Sequence, residues 1–301
     1  MQSHDREEIR GSLRSAIFVP GFMRKFLEKA TKFPADAVLL DLEDSVPDSH
    51  KEDARKYIRE YLDQNRFNQQ TFIRVNDIKS GLLSKDLAAT LHENTDGFML
   101  TKVYDERDII YFDKLLGQYE HDNGFAYGKF KILPLIETGS AIFQAYKIAT
   151  ASPRLIGLAF GGEDYLTDLD GLHKEHGTSL LVPRSLIVIA ARSAHIDVLD
   201  TPFLNIRNTQ GLRKEVEQAR ELGFSGQLLI HPTQIAVANE IFSPSDEEIS
   251  EAKRIIAAIE ESSREGKGTT LLDGQLIGPP MRKRADKVLA KAKRITLAKK
   301  N

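Results

Sequence analysis

Two apolar runs in this chain stop abruptly at carboxylates. Ile132 to Ile136 is followed by Glu137, and Leu155 to Phe160 by the pair Glu163 and Asp164. Short apolar runs bounded by Gly or Pro read as buried parallel strands, and the segment between them, Gly139 to Thr150, has helical spacing. Together they predict a βαβ unit with carboxylates at the carboxyl ends of neighbouring strands, where parallel α/β folds place their chemistry. Oxygen ligands with no Cys nearby suit Mg²⁺, which one or two carboxylates hold while water and substrate complete the shell. The plainer account is a set of strand-end acids that cap helices or form ion pairs, and at this point Glu163 and Asp164 are equivalent.

Other residues share the expected rim. LLDLEDSVP crowds Asp41, Glu43 and Asp44 onto the end of one strand, a charge density that buried strands tolerate only with metal or cationic partners. Glu43 and Asp44 read either as outer support for a metal site, or as part of a helix cap at Asp44 or Ser45 paired with Lys or Arg. FIRVN brings in Arg74, able to clamp a carboxylate through two N–H groups or to hold charge developing on an enolate, with Asn76 to orient it. A buried pairing of Arg74 with Glu43 or Asp44 is the competing and compatible account. Lys102, in LTKVY, is a Coulomb partner for these acids or a substrate contact. Beyond the first strand, Lys25 and Lys29 stand four apart on one helix face beside Arg24, which suits a polyphosphate; a solvated basic face is the commoner meaning. His231, in LLIHP, is expected to be a packed, hydrogen-bonded residue rather than a ligand.

The elements that must carry these groups recur along the chain. Candidate strands are Ala16–Val19, Ala37–Leu42, Phe72–Val75, Gly97–Leu100, Ile132–Ile136, Ile156–Phe160, Ile196–Leu199 and Gln227–Ile230. Helical segments lie between them; Ala54, Tyr57, Ile58, Tyr61 and Leu62 trace one amphipathic face. Alternating βα units in this number predict an α/β fold, a (β/α)₈ TIM barrel, ahead of an open doubly wound sheet. FVPGF, after the first strand, lacks the glycines of a dinucleotide-binding turn. The barrel is expected over residues 1–243, and a helical C-terminal extension over 244–301, packing on a neighbouring subunit. The extension opens with a capping box from Ser245 to Glu248, passes through SSREGKGTTLLDGQLIGPP as extended loop, and ends in a basic helix from about Met281 to Lys299.

Composition narrows the classes. With 301 residues, 41% hydrophobic and 29% charged, the chain has the balance of a soluble globular protein, and no apolar run approaches the roughly 18 residues of a membrane span. A net charge of -2 gives no bulk attraction to nucleic acid. The absence of Cys excludes disulfides, thiolate nucleophiles and thiolate metal sites, and a cytoplasmic setting is expected. MQSHDREEIRGS reads as a polar lead-in, unlike a secretory or transit peptide.

RSAIFVPG, ADAVLLDLEDSVP, IRVN, LPLIET, AFGGEDYLTD, VPRSLIVIAARSA, GFSGQLLIHPTQ and GQLIGPPMRKRA, in that order, resemble the citrate lyase β-subunit and CoA-ester lyase family. This family lies within the HpcH/HpaI aldolase superfamily and includes malyl-CoA and citramalyl-CoA lyases. The resemblance covers nearly the whole chain. It implies a barrel that assembles as a homo-oligomer, a trimer or hexamer, and cleaves 2-hydroxyacyl thioesters with Mg²⁺. Carried over residue by residue, it places the metal ligands on Glu137 and Asp164, and substrate binding on Arg74 and Glu137. CoA phosphate contacts fall on Lys25 and Lys29, and support of metal-bound water on Glu43 and Asp44. One position departs from the pattern. Active relatives read M-I-D-x-P in the C-terminal loop, and this chain reads Leu276-Ile277-Gly278-Pro279, with no carboxyl to move a proton.

The resemblance implies a Mg²⁺-dependent carbon–carbon lyase that converts a citryl-, malyl- or citramalyl-CoA type thioester to a 2-oxo acid and an acetyl thioester. Two alternatives stand beside it. One keeps the site but changes the chemistry to condensation, thioester hydrolysis or aldol cleavage of free acids; the other is an oxo-acid-binding subunit that acts with an acyl-carrier partner.

Overall fold

A computed structural model describes residues 13–64 and 67–298. The polar lead-in and the last residue of the basic helix lie outside them. The chain divides into two compact units, Leu13–Glu240 and the segment from Ile241 onward. No helix among the described residues is long and apolar enough to cross a membrane.

The first unit is a closed barrel of eight parallel strands in sequential order. The strands are β1 (Ser15–Pro20), β2 (Ala37–Asp41), β3 (Gln70–Val75), β4 (Gly97–Leu100), β5 (Lys131–Ile136), β6 (Gly157–Phe160), β7 (Asp197–Asp200) and β8 (Gly226–Leu229). Closure is by β1 pairing with β8. The connecting helices are α1 (Arg24–Ala30), α2 (Lys51–Gln64), α3 (Leu83–Thr90), α4 (Glu106–Asp122), α5 (Gly139–Thr150), α6 (Gly162–Asp168), α7 (Leu181–Ser193), α8 (Thr209–Leu222) and α9 (Ile235–Ile241). The (β/α)₈ architecture read from the sequence is therefore the observed one. Strands buried on both faces explain why these segments read as continuous apolar runs rather than alternating ones.

Side chains two apart on a strand share a face, and that period builds both the core and the site. Ala37 and Leu39, Phe72, Met99, Leu133 and Leu135, Ala159, Leu199 and Leu228 form the buried barrel interior, with Phe18 packed against it. One step further along the same faces come Asp41 after Leu39, Arg74 after Phe72 and Glu137 after Leu135. The inward side is thus apolar through the barrel and turns charged at its carboxyl end.

In the second unit, α10 (Asp246–Arg264) starts at the expected capping box, in which Ser245 accepts from the Glu248 N–H. It packs against α11 (Pro279–Ala298). The segment between them is not the open loop read from its glycines. It contains a hairpin of β9 (Thr270–Leu272) and β10 (Gln275–Ile277), paired antiparallel. Asp273 and Gly274 have φ of 50° and 79°, the positive values that a two-residue type I′ hairpin needs at both central positions. The Asp-Gly pair was the signal; the flanking glycines obscured it.

Candidate active site at the carboxyl end of the barrel

Glu137 is 2% exposed, directly beyond β5. Its Oε1 accepts the main-chain N–H of Lys102 at 2.6 Å. On the other side lies Gly161, where a Cβ would sit 2.7 Å from the Glu137 Cβ and 2.8 Å from Oε2. A side chain at position 161 would therefore displace the carboxylate. Burial pushes the Glu137 carboxyl up to about 8; the negative charges of Asp164 and Glu43 add to this, while the Lys102 N–H and the Arg74 charge oppose it. Asp164 stands exposed in the first turn of α6, with no hydrogen-bond or ion-pair partner among the described residues. Its neighbour Glu163 is engaged by His173, whose Nδ1 lies 2.5 Å from Oε1.

These acids suit a divalent cation. A buried carboxylate, pressed by two further negative charges and given one neutral donor, holds charge that a cation would neutralise. No group of three or more His, Cys, Asp or Glu side chains among the described residues forms a ready metal cluster. Two carboxylates with water and substrate oxygens form the shell that Mg²⁺ accepts. Glu137 and Asp164 would hold it.

At the ends of β2 and β3 the register sets Asp41 opposite Arg74. Asp41 takes the guanidinium fork, with Nε and Nη2 donating at 2.6 and 2.5 Å. It also accepts the N–H groups of Glu43 at 2.9 Å and Ser45 at 3.2 Å. Burial raises the Asp41 carboxyl, but the Arg74 charge and hydrogen bonds hold it below its ordinary value. The helix cap read at Asp44 or Ser45 is not formed: Asp41 instead holds the N–H groups of a turn, the next helical turn begins after Pro47 with no side-chain cap, and the Ser45 hydroxyl is buried without a partner. Arg74 has less freedom than a substrate clamp needs. Its guanidinium lies 4.4 Å from the Phe18 ring centroid, and Nη1, its remaining nitrogen, is 3.1 Å from Glu43 Oε2 and 3.8 Å from Asp44 Oδ2. Burial pushes Glu43 up to about 7, Arg74 opposing and Asp44 adding.

Asn76 does not orient Arg74. It donates to the Leu42 carbonyl and Asp86 and accepts from the buried ammonium of Lys51. Lys51 also donates to the carbonyls of Leu42 and Glu43, at 2.8 and 2.9 Å, fixing the loop that carries Glu43. The Lys102 ammonium lies 3.3 Å from Glu43 Oε1, so it is the Coulomb partner the sequence allowed.

The remaining candidates stand apart from these acids. Lys25 and Lys29 are exposed on α1, while Arg24 is drawn to Glu60 at 2.6 Å and lies over the Tyr57 ring. His231, half-buried, caps the turn Pro232–Gln234 and bonds Thr233, the hydrogen-bonded role expected of it. Sequence reasoning passed over three contributors: the Lys102 main chain, the Asp41 anchor and the missing side chain at Gly161. The Gly161-Gly162 pair beyond a strand was the available sign of close backbone approach.

Residues 14–232 match the HpcH/HpaI aldolase/citrate lyase family. The chain is 36% identical over 281 residues to the citrate lyase subunit beta of Haemophilus influenzae, covering 93% of this chain and 97% of that one. It is 32% identical over 283 residues to a (3S)-malyl-CoA thioesterase of Cereibacter sphaeroides, covering 94% and 95%. Among solved structures, CitE from Mycobacterium tuberculosis in complex with magnesium, acetoacetate and coenzyme A superposes with a TM-score of 0.77 at 27% identity, covering 95% of this chain and 99% of that one.

Proposed function

The chain belongs to the HpcH/HpaI aldolase/citrate lyase family, and from that premise we propose that it is a cytoplasmic, Mg²⁺-dependent carbon–carbon lyase of 3-hydroxyacyl thioesters that are also 2-hydroxy acids. The observation that carries this reading is the carboxylate pair beyond β5 and β6: Glu137, buried and under-compensated, beside an unpartnered Asp164. Bound between them, Mg²⁺ would act as a Lewis acid for an oxygen-rich substrate and favour loss of its hydroxyl proton.

The chain's own residues fit the remaining steps. Cleavage breaks the carbon–carbon bond, leaves a 2-oxo acid, and places the bonding electron pair on the acetyl thioester as its enolate. Arg74, anchored by Asp41 and with Nη1 held 3.1 Å from Glu43 Oε2, would act on that developing oxyanion as a fixed positive charge rather than as a direct clamp. Glu43 and Asp44 would support metal-bound water, and the Lys51 contacts keep their loop in place. Lys25 and Lys29, exposed on the helix that opens beyond β1, suit the phosphates of CoA or of an acyl-carrier arm. The extension from Ile241 would pack on a neighbouring subunit of a homotrimer or hexamer.

The enolate must still gain a proton, and Gly278 has no carboxyl to give one. That position favours a second reading, in which the same site serves thioester hydrolysis, the activity named for a relative of nearly full coverage. An assay of malyl-, citramalyl- and citryl-CoA, with Mg²⁺ and with EDTA, decides between them. Release of an oxo acid and acetyl-CoA supports the lyase, and free CoA with an intact hydroxy acid supports hydrolysis. Oxo-acid binding with no turnover of any thioester would instead point to a subunit that needs an acyl-carrier partner.

A further inference from the structure

Lys102 follows β4 with its main chain in the left-handed region, at φ 51°. A side chain is crowded there, and such a conformation persists where surrounding contacts over-determine it. Two contacts do so, and both end on acids of the mouth. The Lys102 N–H donates to Glu137 Oε1 at 2.6 Å, and the ammonium lies 3.3 Å from Glu43 Oε1. Among the described residues, that N–H is the only hydrogen-bond donor to the Glu137 carboxylate. The second oxygen, Oε2, is bounded by the bare backbone of Gly161. One oxygen is therefore occupied and the other is free.

We propose that Lys102 is a positioning residue for the cation site, acting through its left-handed main chain, which fixes Glu137 as a ligand through Oε2 alone. The inference rests on the reading of Glu137 as a cation ligand. It assigns separate tasks to the two ends of one residue. The N–H orients the ligand; the ammonium pairs with Glu43 and holds the strained backbone in place. A positive charge near a cation site weakens cation binding if it does anything, so the ammonium is not what gives the site its affinity.

The test is Mn²⁺ binding to the full-length protein, followed by electron paramagnetic resonance, with circular dichroism and thermal melting to confirm folding. Lys102→Gly keeps the N–H and adopts positive φ at no steric cost, whereas Lys102→Val is the least compatible with it. The expected result is Lys102→Gly binding Mn²⁺ as tightly as the parent or tighter, and Lys102→Val about 10- to 100-fold weaker, as for loss of other groups that orient a ligand. Lys102→Ala, with an intermediate penalty, is expected between them and serves if the Val variant does not fold. Lys102→Gly as weak as Lys102→Val would assign the effect to the ammonium and overturn the proposal. Val and Ala variants that bind like the parent would overturn it too, provided Glu137→Gln abolishes binding. If Glu137→Gln itself binds Mn²⁺ normally, the reading of Glu137 as a ligand fails first.

Discussion

Glu137 is an unfavourable place for a lone negative charge and a favourable one for half of a cation site. The Asp164→Asn variant is expected to lose metal-dependent oxo-acid binding in calorimetry, because an amide oxygen is a far weaker ligand than a carboxylate. The accompanying loss in turnover is about 10³-fold if the cation supplies roughly 4 kcal/mol of transition-state stabilisation. Normal binding and turnover would remove Asp164 from the ligand set. Gly278→Asp is the complementary test. A Cβ at Gly278 meets the Thr269 side chain at 3.0 Å, a contact that a small rotation relieves. Lyase activity is expected to rise by about 10²-fold, the lower range for a positioned acid; an unchanged rate means that the proton comes from elsewhere. Glu137 stands out in the sequence because it ends an apolar run, whereas Asp164 is not separable from Glu163 on that ground and is picked only by the family resemblance. The partner of Arg74 was not legible. Asp41 lies opposite it by strand register, and register between strands is written in no local pattern.

The elements were read with the same asymmetry. All eight barrel strands follow from apolar runs bounded by breakers, and α5 runs over the residues its spacing predicts, Gly139–Thr150. The hairpin between α10 and α11 was missed because its strands are three residues each, too short to show a period. Local turn chemistry should dominate its stability. In the type I′ turn Gly274 sits at φ 79°, and a Cβ added there would meet nothing within 4 Å. Substitution there is therefore a backbone effect and not a clash. Gly274→Ala is expected to lower stability by about 1 kcal/mol, read as a lower midpoint in thermal denaturation. A midpoint equal to the parent's would show that the turn does not limit the second unit.

At the scale of the whole barrel, buried acids are used in two opposite ways. At the carboxyl end, Glu43 and Glu137 are both pushed up from the usual carboxylate range. At the amino end, Glu120 of α4 is fully enclosed and saturated. Arg154 donates to it at 2.6 and 2.7 Å, and the N–H groups of Phe130 and Gly128 each donate at 2.9 Å. This ties α4 to the chain entering β5 and β6. Burial raises the Glu120 carboxyl, yet these hydrogen bonds and the Arg154 charge outweigh it and leave the group below its ordinary 4.5. A carboxyl whose folded value is depressed contributes stability that is fully present above its unfolded value and is lost as the pH falls through the folded one. Glu120→Gln leaves Arg154, 2% exposed, with Asp113 as its remaining carboxylate partner, so the loss is expected to fall short of the roughly 3 kcal/mol that breaking a buried pair outright costs. Urea unfolding at neutral pH is expected to show that loss. The gap between parent and variant should then narrow as the pH is taken below about 4.5, because the parent protonates the same carboxyl that the variant lacks. A gap that stays constant on acidification would mean that Glu120 stabilises the barrel by packing and neutral hydrogen bonds, with its charge contributing nothing.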